Sequence, residues 1–479
     1  MKISKLTAAL AAGAALASPA SAAFAEPQPT PPGPQPPAAY KVLARDILKE
    51  LIEIDSTHAK GSTVAAQAVA RRALHAGFSP IDVVVLAPPE RPSKGNVVIR
   101  LHGKGLGKPL LIIDHLDVVE ANREDWTTDP FTLVEKDGYF YGRGTEDMKG
   151  EDAVLLTALI RLKHEGYVPD RDIIAAFTAD EEAGGDSNGP QWLLAKHRDL
   201  VEAGLSINQD GEGGQLRNGK RLYIGVETSE KLYATYELQT TDRGGHSSVP
   251  RDDNAIYQLT EGLNRLEHYQ FPPHLTATTR AYFGKIAALE SGQTRADMLA
   301  VAAETPDPAA AARLSRDPVR NALLRTTCVA TVLKAGQGES ALPERANATV
   351  QCRLMPGETP EETLTTLKLV LGDPAIKVTT DGPIDPSPET LLTADVAHRY
   401  QRAADAMWPR SLIIPTMAAG ASDSVYPREA GMASYVSGAI FADLDDPRAH
   451  GRDERIGVTE FYEGVEYMDH LLKSMSAKD

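Results

Sequence analysis

Three short apolar runs in this chain stop abruptly on residues that carry charge. Residues 110–114 (LLIID) lead into His115 and Asp117, residues 172–178 (DIIAAFT) into Asp180, Glu181 and Glu182, and residues 205–207 into Asp210. Runs this short and this unbroken read as strands buried on both faces, the pattern of a parallel sheet. Helical spacing fills the stretches around them, at residues 40–54, 63–76, 153–162 and 192–200. Strands alternating with helices specify an α/β domain with a mixed, largely parallel sheet flanked by helices. Open sheets of that kind place their sites just past the carboxyl ends of the strands. That is where the charged residues fall.

From about Glu230 the texture changes. Residues 231–240 alternate as a half-exposed strand, GGHSSVP follows, and a helix is predicted over 254–266. An alanine-rich helical stretch at 293–325 precedes two strands bearing Cys328 and Cys352, a helix over 360–371 and a strand near 376–379. Strand, helix, two strands, helix, strand is the order of an α+β, ferredoxin-like unit with an antiparallel sheet. The α/β texture then resumes, with a helix over 394–407, a strand over 433–436 and a helix over 459–475. The expected organisation is one α/β domain, residues 40–229 and 383–479, interrupted by an inserted domain at 230–382. If the two cysteine-bearing strands form a hairpin, their thiols could face each other. A disulfide in an oxidising compartment and two small buried thiols both fit that spacing.

The amino terminus reads as a processing signal. Lys2 and Lys5 precede an Ala/Leu-rich stretch with small residues at Ala23-Phe24-Ala25, so residues 1–25 form a secretory signal peptide. Residues 26–39 follow as a proline-rich extended tether. Export is expected, and a bacterial periplasm fits. No membrane-spanning segment is expected once the signal is removed. A formal net charge of −16 argues against nucleic acid and anionic membranes as partners.

The candidate ligands are His115, Asp147, Glu182, Asp210 and His450. Two imidazoles and three carboxylates suit zinc, with one carboxylate shared between two ions. Two dications close together need anionic ligands to offset their repulsion. The lack of thiolate ligands points to a catalytic rather than a structural centre. Glu181 lies beside Glu182, and adjacent residues point in different directions, so one can ligate while the other faces the reacting water as general base. Asp117, two residues beyond His115 on extended chain, is placed to orient the imidazole.

The ordered set HLDVV, DPF with DGYFYGRGTEDMKG, TADEEAGG, GGHSS and HGRDER resembles the M-twenty metallopeptidase family. That family includes glutamate carboxypeptidase, aminoacylase, acetylornithine deacetylase, succinyl-diaminopimelate desuccinylase, carnosinase-type dipeptidases and carboxypeptidase S. The resemblance implies a zinc exopeptidase-like fold with a lid and dimerisation domain, and two Zn²⁺ per subunit, with Co²⁺ or Mn²⁺ as substitutes. It implies that His115 and Asp210 bind one ion, Glu182 and His450 the other, and that Asp147 bridges. Glu181 would be the catalytic base and Asp117 the acid paired with the first histidine. His246 in GGHSS would stabilise the oxyanion from the partner subunit of a homodimer formed through the inserted domain. Arg353 would hold the substrate carboxylate, and the loop from Gly420 through Ser422 to Ser424 would line the pocket. Ser340 stands where the family has an asparagine that touches substrate. Glu212 competes with Asp210 as the third carboxylate ligand. The implied substrate is a short peptide cleaved beside a free carboxylate, with an N-acyl amino acid as the alternative. A binding protein that keeps the fold without the chemistry is the reading from outside enzymology.

Overall fold

The computed structural model describes residues 30–185, 187–382 and 387–478. The signal segment and the first residues of the tether lie outside them. The large sheet is mixed and runs in the order Val83–Leu86, Asn96–Leu101, Ile173–Thr178, Leu110–His115, Leu205–Asn208, Ala433–Val436, Lys220–Glu230, Gly214–Arg217 and Ala442–Asp443, with Ile413–Ala418 also beside Lys220–Glu230. Strand Leu110–His115 is central, and both neighbours, Ile173–Thr178 and Leu205–Asn208, are parallel to it. All three charged strand ends therefore emerge side by side.

Each strand buries both faces, as its unbroken apolar run requires. Leu110, Ile112, Ile173 and Ala175 join a core shared with helices Ala38–Ile52, Lys149–His164, Ala394–Met407 and Val458–Ser476. Leu111, Ile113, Ile174 and Ala176 face the opposite way, against Leu193 and Val201. Among the strands that the sequence does not announce are Lys220–Glu230 and Ile413–Ala418. Lys220–Glu230 opens on charged residues, and Ile413–Ala418 contains Pro415. The second pairs only with Lys220–Glu230, and an edge strand tolerates a residue that cannot donate to the ladder.

A second, four-stranded antiparallel sheet has the order Thr327–Ala335, Arg345–Leu354, Leu232–Thr241, Lys377–Thr380. Helices Ala255–Glu267 and Pro360–Leu371 cover one face, burying Ala234, Tyr236, Val350 and Leu371. The alanine-rich stretch forms helices Gly292–Ala302, Pro308–Leu314 and Pro318–Leu324. With Ala277–Ile286 they share a core with Ile414 and Met417. They thus buttress the edge of the large sheet, and Lys285 Nζ donates to the Ile413 carbonyl at 2.9 Å. The proline-rich tether is fastened from Thr30 onward. Its Thr30 N–H donates to Gly219, and Arg221 donates to the Pro31 carbonyl.

Cys328 and Cys352 sit directly opposite each other in the small sheet and are disulfide-bonded, 24 residues apart in sequence. The bond ties the strand Thr327–Ala335 to Arg345–Leu354, its one neighbour among the described residues. Closing a loop of that length contributes roughly 3 kcal/mol by restricting the unfolded chain. Reductant is expected to lower the thermal midpoint of the wild-type protein and to leave that of Cys328→Ser unchanged. Equal shifts in the two would show that the bond carries no stability.

Candidate metal centre and substrate pocket

His115 is the last residue of its strand and only 2% exposed. Its Nδ1–H donates to the Asp117 carbonyl at 3.0 Å, since a carbonyl can only accept. That bond commits Nδ1 as a donor, so a neutral His115 would carry its lone pair on Nε2, while the charged ring donates from both nitrogens. Nε2 faces Asp147 Oδ1 at 3.1 Å and Asp210 Oδ2 at 3.9 Å. The other oxygen of Asp147 lies 3.0 Å from His450 Nε2, which is itself 3.0 Å from Glu182 Oε2. Two groups of potential ligand atoms result, His115, Asp147 and Asp210 in one, and Asp147, Glu182 and His450 in the other. Asp147 belongs to both and offers one oxygen to each. Glu212 joins neither. Its carboxylate lies under the Tyr223 hydroxyl, at 3.4 Å.

The charges in this cluster do not balance by themselves. Burial and the neighbouring Asp147 push Glu182 up to about 7 and Asp210 up to about 6. Burial and Asp210 push Glu181 well above the usual carboxylate range. Burial acts to raise Asp147 too, but hydrogen bonds from both imidazoles outweigh it and hold its carboxyl far down. The bond to Asp147 drives His450 up to about 9. Among the described residues, the ion pairs of Asp147, Glu182 and Asp210 are with the two histidines and with no lysine or arginine. A surplus of buried carboxylates around two imidazoles is the donor set that divalent cations neutralise, so the residues present fit two ions.

Other residues hold these in place. Asp117 does so differently from expectation. Its backbone carbonyl orients His115, while its carboxylate accepts the N–H groups of Glu181 and Glu182 at 3.2 and 3.1 Å. The carboxylate itself stands 3.8 Å from His115 Nδ1. Asp180 has a left-handed backbone, φ 59°, which costs on the order of 1 kcal/mol for a non-glycine residue. Its buried carboxylate is gripped by Lys94 at 2.5 Å, Ser187 at 2.6 Å and His58 at 3.0 Å, which hold the turn that aims Glu181. Glu454 accepts the N–H groups of Gly144, Glu146 and Asp147 at 3.0, 2.8 and 3.0 Å, and pairs with Arg143. It shapes the loop that presents Asp147. Neither the role of Glu454 nor that of Lys94 was legible, because the partners of each are distant in sequence.

Beside the cluster lies a cavity of about 250 Å³ whose wall includes Glu181, Asn188, Lys231, Tyr233, Ser422 and Tyr426. Arg353 stacks over the Tyr233 ring, 4.5 Å from its centre. Ser422 lines this cavity, but its N–H and hydroxyl are spent on Glu230, at 2.8 and 3.0 Å. Gly420 is exposed. His246 and Ser340 lie together elsewhere, on the small ladder that pairs Gly245–His246 with Ala341–Leu342. Both are exposed. His246 Nδ1 contacts the Ser248 hydroxyl at 2.8 Å, and among the described residues no bond links it to the cluster. The structure thus gathers His115, Asp147, Glu181, Glu182, Asp210 and His450, and leaves His246 and Ser340 outside.

The family model "Peptidase family M20/M25/M40" matches residues 111–474, a span that holds every member of this cluster. The chain belongs to that family. Among curated relatives it is 29% identical to the probable carboxypeptidase S-like 2 of Dictyostelium discoideum, covering 77% of this chain and 72% of the relative. It is also 29% identical to the N-fatty-acyl-amino acid synthase/hydrolase PM20D1 of Homo sapiens, covering 77% and 74%. Among solved structures it resembles the M20 family metallo-carboxypeptidase Sso-CP2 of Sulfolobus solfataricus, with TM-score 0.68, 19% identity, and 90% and 99% of the two chains covered. That last likeness establishes the fold. As a member of M20/M25/M40, the protein is a hydrolase of peptide or N-acyl amino acid bonds.

Proposed function

We propose that this protein is an exported, two-zinc amide hydrolase that cleaves short peptides next to a free carboxylate. The observation that carries the reading is Asp147, which offers one oxygen to each imidazole, with Glu181 beside it at the cavity wall. His115 and Asp210 would hold one ion, Glu182 and His450 the other, and Asp147 both; Co²⁺ or Mn²⁺ could replace zinc. Bound there, such ions supply an acidified water and polarise the amide carbonyl.

The chain's own residues then do the rest. Glu181 accepts the water proton at its carboxylate and returns it to the departing amine. A buried carboxyl crowded by Asp210 keeps that proton readily, which suits a group that must carry it between two steps. Arg353 pairs with the substrate carboxylate and so sets which bond lies beside Glu181. His246 donates to the oxyanion from a second copy of the chain, because its own cluster lies beyond its bonds; the dimer forms through the antiparallel sheet domain. Export follows from residues 1–25, and among the described residues no helix is long and apolar enough to cross a membrane.

Hydrolysis of N-acyl amino acids is the second reading. The relative named for N-fatty-acyl-amino acids and the apolar side chains of Tyr233, Val425 and Tyr426 on the wall favour it. A panel of dipeptides and N-acyl amino acids, assayed with added Zn²⁺, decides between the two. Dipeptides are expected to show the higher kcat/KM, and the reverse order would establish the deacylase. The dimer has its own test. Mixed His246→Ala and Glu181→Ala protomers should regain activity that neither has alone. No recovery after verified subunit exchange would place His246 outside the partner's site.

A further inference from the structure

The wall of the cavity carries a cation, Lys231, whose role none of the motifs announces, and Arg353 stands behind Tyr233 of the same wall. The geometry points to Lys231 as a specificity-determining residue that joins Arg353 in a two-cation receptor for the substrate carboxylate. This rests on the reading of Arg353 as the carboxylate contact.

Strand register puts the two cations on one face. In strand Leu232–Thr241, Leu232, Ala234 and Tyr236 point into the helix-covered core. Tyr233 therefore points to the free face, and Lys231, two residues earlier, continues that alternation. Tyr233 pairs directly with Arg353, and Arg353 with Thr327 on the next strand. The Lys231 ammonium crosses the middle strand to reach the Arg325 carbonyl at 2.7 Å and Thr327 Oγ1 at 3.4 Å. It thus reaches the side chain of Arg353's own register partner, and the charge of Arg353 is felt at Lys231.

Both cations lack a counter-charge. Lys231 is 1% exposed, and Nη1 of Arg353 is a buried donor with no hydrogen-bond partner. Neither forms an ion pair with a carboxylate among the described residues. Glu358, the carboxylate whose charge acts on Lys231, is taken by His274 and Thr326. An ammonium has three donors, and two acceptors leave Lys231 one to offer. Burial draws Lys231 down to about 7, with Arg353 adding to the effect. Two desolvated cations side by side are unfavourable until an anion arrives, and a carboxylate with two oxygens can serve both. The competing role for Lys231 is that of a staple between strands, which would affect folding without reading charge.

The test compares each N-acyl amino acid or dipeptide with its carboxamide-capped counterpart. In the wild type the capped form is expected to have a KM higher by about 100-fold, the discrimination of two charge-assisted contacts. Lys231→Met should raise KM for the free carboxylate by roughly 30-fold with kcat within about threefold, so that the ratio collapses. Lys231→Gln keeps a donor for the Arg325 carbonyl without the charge, so it carries the test if the methionine variant fails to fold. Lys231→Arg should restore part of the ratio. A wild type that ignores capping would sink the carboxylate reading itself. A wild type that discriminates, with Arg353→Met losing the ratio and folded Lys231→Gln keeping it, would leave that reading standing and overturn the role of Lys231.

Discussion

Glu181→Ala is expected to lower kcat by on the order of 10³-fold or more while both metal ions stay bound. Glu181 belongs to neither ligand group, so its loss removes no donor. Its backbone N–H is held by Asp117, and Asp180 before it by Lys94, so truncating the side chain leaves the turn in place. The thermal midpoint should hold or rise, because a carboxyl held up by burial and by Asp210 leaves a crowded site. Metal analysis and calorimetry on the same preparation separate a lost base from a lost fold. Normal turnover in a folded, metal-loaded variant would remove Glu181 from the chemistry.

Asp147→Asn is expected to do more, lowering kcat/KM by on the order of 10⁴-fold and metal content to one ion or fewer. One carboxylate faces both imidazoles, so neutralising it weakens both ion sites together. Chelation of the wild type should reproduce the loss, and added Zn²⁺ should reverse it. An ion bound only by the folded chain also stabilises it, by about 4 kcal/mol at a thousandfold excess over its Kd, so chelation should lower the thermal midpoint. The variant should show little of that shift. A variant that retained two ions and most of its activity would rule out the shared carboxylate.

The candidate ligands were legible because each stands where a strand or turn hands the chain to its site. A buried strand that runs into Asp-Glu-Glu has few bland explanations, and its parallel neighbours had to bring His115 and Asp210 alongside. Asp117 was legible in place but not in action. The expected carboxylate–imidazole pairing gave way to a carboxylate bound by two backbone N–H groups. Lys231 and Lys94 were not legible, and Glu454 was legible only as a letter of HGRDER, without its role. A single charged residue in sequence looks like a solvated one, and only tertiary packing reveals which are buried. Strand Ile413–Ala418 was hidden by Pro415, whose tolerance depends on lying at a sheet edge.

The centre draws on both ends of the chain. His450 meets Glu182 across 268 positions, and Glu454 shapes the Asp147 loop across 307. Contacts so remote in sequence form late, after shorter loops have closed. A growing chain therefore lacks the second of the two ligand groups until His450 has been made. If ions bind there, the pair is completed only where the folded chain brings His450 to Glu182, so the metals present at that place would bear on which pair is held.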